Sequence, residues 1–150
     1  MTEYQKSISF EIQIQASPDA VWQKMLSPET YNDWAKGFSA DSQYVGEWKE
    51  STYINFIDPK LGGTRALLQK IDPHKEIIAR HIAILDTNQK PDVECDVAKK
   101  WIGTIESYQF SDLGGQTILK VTTEVHEDFV KMFEESWPKS LGLLKALCES

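Results

Sequence analysis

The segment SPDAVWQKMLSPETYNDWA, residues 17–35, predicts two short helices in immediate succession. Ser17 and Ser27 each precede a proline and an acidic residue. This order favours a helix N-terminus, because a hydroxyl can cap the first turn, proline suits its backbone angle and the acid lies near the positive end of the helix dipole. Apolar residues follow at helical spacing in both parts, and Gly37 predicts the end of the second helix.

The sequence on both sides of these helices has the pattern of β-strands. Upstream, SISFEIQI, residues 7–14, alternates polar and apolar residues and predicts a half-buried strand. Turn residues bound six further predicted strands downstream, near 41–48, 52–58, 64–72, 76–86, 102–111 and 116–126. The Gly-Gly pairs and the turn DPHK between these segments suit short connections between antiparallel neighbours.

A long amphipathic helix is predicted from about residue 128 to residue 149. Its apolar positions recur every three or four residues and share one face: Phe129, Phe133, Trp137, Leu141, Leu144 and Cys148. Pro138 lies in the middle, where proline removes a backbone hydrogen bond and costs about 3 kcal/mol unless the helix bends or restarts. Ser136 could cap such a restart. A bend beside Trp137 would leave a hollow between the helix and a curved sheet.

Residues 86–100, DTNQKPDVECDVAKK, are polar and acidic and show little apolar periodicity. They predict one long irregular connection before Trp101. Connections of about 12 residues or more are often mobile surface segments or lids over a ligand site. A surface segment is the simpler interpretation, and whether it acts as a lid stays open.

The charge balance argues against several classes of partner. The 150 residues carry 16 Lys and Arg against 23 Asp and Glu, a net charge of −7, so nucleic-acid phosphates and anionic membranes would be repelled. No apolar run approaches the roughly 20 residues of a membrane span, and no secretion signal opens the sequence. The length suits a single domain over residues 1–150. Two cysteines without metal-type spacing fit a reducing cytoplasm.

Signals of catalytic chemistry are weak. The sequence contains no HExxH, CxxC or GxSxG pattern, so we expect no metal site, no cofactor and no assigned catalytic residue.

Four phrases, in this order along the chain, resemble the START-like, or SRPBCC, superfamily. The segment at 17–35 is similar to its opening xPxxVWxxLxxPxxxxxW, and KIDPHKEII at 70–78 to its strand-turn-strand EVDPPxxL. GGQTILKV at 114–121 resembles the family's Gly-Gly-x-Thr-x-Leu hairpin. SWPKSLGLLKALCE at 136–149 resembles its closing helix GWxxxLxxLKxxLE, with Ser and Pro on either side of the tryptophan instead of Gly and a non-proline residue. The most similar branch is the one related to the activator of heat-shock protein 90 ATPase.

This resemblance implies an α+β helix-grip fold. An antiparallel, curved sheet of six to seven strands would wrap a long C-terminal helix, with two short helices after the first strand. In many members the hollow between helix and sheet binds lipophilic ligands, but the superfamily also includes cyclases, oxygenase domains and co-chaperones. The co-chaperones of this branch carry a further amino-terminal domain, for which 150 residues leave no room, so we do not expect ATPase activation.

The strand EIIARHIAIL, residues 76–85, supplies the first candidate for a polar ligand contact. Aligned with the family phrase, it turns His81 and two alanines towards the helix, where small side chains leave space and an imidazole could orient a ligand. Alternatively, His81 is a structural histidine bonded to a neighbouring carbonyl or carboxylate. The opposite, isoleucine-rich face could also be the buried one, so the facing stays open.

The same parity argument places Ile54 with Phe56, and Glu106 with Tyr108 and Phe110, on single strand faces. Glu106 would need a cation partner or a place at the cavity rim. We expect a small lipophilic molecule to be bound by Trp34, Phe38, Phe56, His81, Tyr108, Phe133, Trp137 and Leu141. For each aromatic residue, ordinary core packing is the alternative.

Two other functions remain open. A cyclase or hydrolase would need His81 to converge with Tyr108 or Glu106. A co-chaperone-like module would instead bind a protein partner, or a second copy of itself, through an exposed apolar patch such as the face of Ile78, Ile82 and Ile84.

Overall fold

The structure is a computed structural model that describes residues 5–150, so residues 1–4 of the predicted domain lie outside the described part. In chain order it contains β1 (Gln5–Ile14), α1 (Pro18–Leu26), α2 (Pro28–Ala35), β2 (Gln43–Gly46), β3 (Tyr53–Asp58), β4 (Gly62–Asp72), β5 (Glu76–Leu85), β6 (Pro91–Asp92), α3 (Asp96–Trp101), β7 (Ile105–Leu113), β8 (Gln116–His126) and α4 (Glu127–Glu149).

The strands form an open antiparallel sheet in the order β1-β8-β7-β5-β4-β3-β2, with the two-residue β6 paired to β5 beside this path. Most neighbouring strands of this sheet follow each other in the chain and pair as hairpins. The two exceptions are the pair β5 and β7 and the pair β1 and β8. Register shifts between β4 and β5 add local twist, which bends the sheet. The α+β helix-grip prediction is confirmed, including the two short helices after the first strand.

The buried face of β5 is the one that the family alignment favoured. Ile77, Ala79, His81, Ala83 and Leu85 are buried, whereas the residues between them are partly or fully exposed. Helix α4 packs over this side of the sheet and contacts β1, β8, α1 and α2. The core therefore lies between the sheet and these three helices.

Helices α1 and α2 begin where the Ser-Pro-acid pattern predicts. Ser17 Oγ accepts a hydrogen bond from Ala20 N at 3.3 Å, so it caps α1. Ser27 ends α1 and also occupies the N-cap of α2, where its side chain makes no capping bond. The Trp34 indole donates to the carbonyl of Met25 at 3.0 Å, which ties the two helices together.

Helix α4 runs from Glu127 to Glu149 without a break, and Pro138 lies inside it. The alternative of a restart capped by Ser136 is therefore wrong. Pro138 and Glu134 are both exposed, so the carbonyl left without its usual amide partner lies on the solvent side of the helix.

The predicted long irregular connection at 86–100 is also wrong, because it contains β6 and the six-residue helix α3. Cys95 Sγ accepts from Ala98 N at 3.4 Å and caps α3, and Ala98 is fully buried. A helix of six residues with one buried alanine and a cysteine cap carries too few of the usual signals for its periodicity to be recognised.

Candidate functional site

A cavity of about 200 Å³ lies between the sheet, α2 and the middle of α4. Aromatic side chains form most of its wall, and its buried titratable groups lie on α2, β5 and β7. The lining residues are Tyr31, Trp34, Ala35, Phe38, Ser42, Gln43, Phe56, Thr64, His81, Trp101, Glu106, Tyr108, Met132, Phe133, Ser136 and Trp137.

Seven of the eight predicted ligand contacts line this cavity: Trp34, Phe38, Phe56, His81, Tyr108, Phe133 and Trp137. Leu141 does not belong to the lining. It lies one turn beyond Trp137 on the same face of α4, where it packs into the hydrophobic core instead. Helical periodicity predicted which face of α4 is buried, but not where along that face the packing ends and the cavity begins.

Trp137 is the centre of the aromatic wall. Its ring centroid lies 4.8 Å from that of Phe38, 5.8 Å from that of Tyr108 and 6.3 Å from that of Trp34. The first two pairs are edge-to-face and the third is stacked, and both arrangements are favourable beyond the burial of area alone. The tryptophan therefore links α2, α4 and β7, so the wall is held from three elements.

Trp101, at the end of the segment predicted to be an irregular connection, extends the wall. Its ring centroid lies 5.6 Å from that of Phe133 and 5.7 Å from that of His81. As the last residue of α3, it is positioned by the cap at Cys95 and the burial of Ala98. The segment thus contributes a fixed wall to the cavity.

Glu106 and Tyr108 form a hydrogen-bonded pair inside the cavity. The two residues are adjacent on the buried face of β7, and the Tyr108 hydroxyl donates to Glu106 Oε2. Glu106 is only 7% exposed, so it lies inside the cavity rather than at its rim. Among residues 5–150 no lysine or arginine pairs with it, so its partner is a phenol instead of the cation expected from the sequence.

Burial raises the pKa of the Glu106 carboxyl from 4.5 to about 7, against the opposing effect of the Tyr108 hydrogen bond. Burial likewise raises the pKa of Tyr108, and the nearby charge of Glu106 adds to it. A carboxyl with a pKa close to neutral can either donate or accept a proton at physiological pH. Glu106 is therefore the group in this cavity whose charge is most easily changed.

Tyr31 is a third polar group near this pair. Burial raises the pKa of its hydroxyl first, and the charge of Glu106 second, which places the phenol within electrostatic reach of the carboxyl. Tyr31 was not among the predicted ligand contacts. Its spacing of three residues before Trp34 on α2 puts both on one helix face, so this signal was available.

His81 contributes a neutral imidazole. The side chain is 5% exposed, and its Nδ1 has no hydrogen-bond partner among the described residues. Burial lowers the pKa of the ring from 6.5 to about 4, so the imidazole is uncharged near neutral pH. The expected alternative, an Nδ1 bonded to a carbonyl or carboxylate, is not found. Its backbone is fixed by bonds with Thr104 and Gly103 of 3.0 and 2.8 Å.

Other kinds of site find no support in the part of the chain that the structure describes. Residues 5–150 gather no group of three or more His, Cys, Asp or Glu that could hold a metal ion. None of their helices is long and apolar enough to cross a membrane. Both cysteines are free thiols, and burial raises the pKa of Cys148 to about 11, which keeps this thiol protonated near neutral pH.

No protein-family model matches the chain, and no curated protein matches its sequence. Solved structures do match. The Aha1 dimer from Colwellia psychrerythraea matches with a TM-score of 0.73 at 23% identity, over 96% of this chain and 96% of that one. Protein CV1439 from Chromobacterium violaceum matches with a TM-score of 0.73 at 14% identity, over 96% of this chain and 97% of that one. CalU16 from Micromonospora echinospora matches with a TM-score of 0.68 at 16% identity, over 96% of this chain and 76% of that one.

These matches extend over nearly the whole of this chain at low sequence identity, so what they share with it is the path of the backbone. The chain therefore shares with these proteins the helix-grip fold.

Proposed function

We propose that this protein binds a small, largely apolar ligand in the cavity between α4 and the sheet. The observation that carries this proposal is the cavity itself, since protein interiors are close-packed and leave few voids larger than a water molecule. Here about 200 Å³ stays open among side chains that could have filled it. Large aromatic side chains make up much of the lining, which is the usual composition of a ligand pocket.

The volume sets the size of the ligand. An apolar cavity of about 150 Å³ accommodates a benzene molecule. The cavity of about 200 Å³ therefore suits a single ring with a short substituent. Trp137 and Phe38 would pack against the ring, while Tyr108, Glu106 and His81 would orient its polar end.

The test begins with native mass spectrometry of the purified protein, to detect a small molecule that co-purifies. Thermal unfolding follows, with phenol, benzyl alcohol, benzylamine and benzoate as probes. Binding to the folded state alone at 100 times the dissociation constant adds about 2.7 kcal/mol of stability, which for this size of protein is a rise in Tm of about 5 to 10 °C.

The matched variants are Ser136→Phe and Ser136→Ala. Ser136 lines the cavity on α4 and is partly exposed, so a phenyl ring there blocks the space while alanine leaves it open. We expect the probe-dependent rise in Tm to disappear in the first variant and to persist in the second. A protein without a bound molecule, and without a saturable shift for any probe, would overturn the proposal.

A homodimer is the second candidate, because the Aha1 from Colwellia psychrerythraea that shares this fold was solved as a dimer. Size-exclusion chromatography with light scattering tests it directly. A mass near twice 17.1 kDa supports self-association, and a mass of 17.1 kDa at high protein concentration rules it out.

A further inference from the structure

The cavity holds an acidic group for which the protein supplies no counter-ion. Glu106 is more than nine-tenths buried, and among residues 5–150 neither a lysine nor an arginine lines the cavity with it. Its Oε2 accepts from Tyr108, while the described residues provide no hydrogen-bond partner for Oε1. A buried carboxylate without a cation is strongly disfavoured. One carboxylate oxygen is thus available to a positively charged ligand.

The aromatic side chains of the wall can also interact with a cation. Aromatic faces attract cations, and rings of Trp34, Phe38, Phe133 and Trp137 surround the space beside Glu106. His81 is neutral, so it does not compete with a ligand for the carboxylate. An anionic ligand would meet the Glu106 carboxylate, and no lysine or arginine lines the cavity to offset that charge.

On the basis of the proposed function, we infer that the cavity selects a small organic cation: a primary amine or ammonium group carried by a single ring, with its charge on Glu106 and its ring against Trp137. This inference adds charge selectivity to the apolar, single-ring character set by the cavity volume.

The pH dependence of binding separates this cation from the main competitor, a neutral ligand whose carbonyl accepts a proton from Glu106. Between pH 6 and 8 an amine stays protonated while the carboxyl, with a pKa of about 7, passes from about one-tenth to about nine-tenths ionised. Affinity for an amine should therefore rise about tenfold over this range, whereas affinity for a carbonyl ligand should fall.

Three titratable groups face Glu106 from the elements packed around it: Tyr108 on its own strand β7, Tyr31 on α2 and His81 on β5. Both phenols have raised pKa values and the imidazole pKa is lowered to about 4, so none of the three changes charge between pH 6 and 8. A change of affinity in this range would then report on Glu106.

The test compares benzylamine, benzyl alcohol and benzoate, which share one ring and differ in the charge of the substituent. Isothermal titration at pH 6, 7 and 8 gives their dissociation constants for the wild type, Glu106→Gln and Glu135→Gln. Glu135→Gln is the matched control, since it removes the same charge from an exposed site on α4. Circular dichroism confirms that each variant is folded.

We expect benzylamine to bind more tightly than benzyl alcohol at pH 8, and benzoate not to bind. Glu106→Gln should weaken benzylamine binding about 30-fold or more, and weaken benzyl alcohol binding less. Should Glu106→Gln not fold, Tyr108→Phe replaces it. Loss of the Tyr108 hydrogen bond raises the Glu106 pKa, so the rise in benzylamine affinity should occur at higher pH.

The two proposals fail in different ways. Binding of benzyl alcohol at least as tight as that of benzylamine, or benzylamine affinity unaffected by pH and by Glu106→Gln, overturns the cation inference and leaves the cavity as a binding site. Absence of binding by all three probes overturns the inference too, and together with a negative native mass spectrum it removes the proposed function.

Discussion

Replacing Glu106 with glutamine should make the protein more stable at pH 8, and by an amount that depends on pH. The Glu106 carboxyl has a pKa of about 7 in the folded protein, against 4.5 as the ordinary value. Between these two values the folded protein keeps a proton that the unfolded chain has released. Raising the pH through this window therefore lowers the free energy of unfolding, and glutamine, which is neutral throughout, escapes this loss.

The magnitude follows from the pKa difference. One pKa unit corresponds to about 1.4 kcal/mol, so the ionisation of Glu106 removes about 3 kcal/mol of stability between acidic pH and pH 8. Of this loss, about 2.5 kcal/mol falls between pH 5 and pH 8. The stability difference between Glu106→Gln and the wild type should grow by that amount over the same interval.

Urea unfolding followed by tryptophan fluorescence measures this difference, because the five tryptophans include several that line the cavity. Unfolding curves at pH 5, 6, 7 and 8 give the free energy and the slope for each protein, and equal slopes show that the comparison is valid. Glu135→Gln is the control, and its difference from the wild type should be independent of pH. The reasoning is refuted if the Glu106→Gln difference is the same at pH 5 and pH 8.

Three further predictions concern the residues around this pair. The pKa of His81 is about 4 in the folded protein and 6.5 as the ordinary value, so the free energy of unfolding falls as the pH drops through this window. Between pH 7 and pH 4 the wild type should lose about 3 kcal/mol more stability than His81→Gln in urea unfolding. Equal losses in the two proteins would contradict this. Gly37→Ala should lower stability by about 1 to 3 kcal/mol in thermal unfolding, because the new methyl would lie 2.1 Å from Ser140 Oγ. Adding Ser140→Ala should not restore the stability, since the methyl would still lie 2.8 Å from Ser140 N. Full rescue would show that the hydroxyl alone is responsible. Trp137→Ala should cost about 3 to 5 kcal/mol in urea unfolding through the lost contacts with α2 and β7, and a loss below about 1 kcal/mol would mean that these contacts do not hold the wall.

Local sequence patterns predicted seven of the strands and the helices α1, α2 and α4 in their order, but not β6 or α3. Alternation from Ser7 to Ile14 predicted β1, and the two Ser-Pro-acid segments predicted α1 and α2. Both signals depend on neighbours in the chain, which the sequence displays directly. The buried face of β5 is determined by the elements that pack on the sheet, so the alternation of its residues does not identify that face. Only the alignment with the family phrase favoured one of the two faces.

The cavity was less predictable because it depends on contacts between distant residues. Leu141 and Trp137 share a face of α4, yet only Trp137 reaches the open space. Trp101 lines that space because α3 fixes it there, and no periodic pattern marked a helix of six residues. Glu106 was expected to need a cation or a place at the cavity rim, because strand parity places Tyr108 on the same face but does not show that its hydroxyl bonds to the carboxyl.

Glu106 and His81 shift their pKa values in opposite directions for one physical reason, since burial disfavours the charged form of each. Had the two groups formed an ion pair, each charge would have stabilised the other, and the shifts would have been reversed. Burial thus keeps the His81 imidazole uncharged near neutral pH and brings the pKa of the Glu106 carboxyl to about 7. Between about pH 4.5 and 6.5 their effects on stability are of similar size and opposite sign. In the wild type, the cavity should therefore contribute almost no pH dependence to the free energy of unfolding in that interval. Replacing Glu106 alone should leave the pH dependence caused by His81, and replacing His81 alone should leave that caused by Glu106.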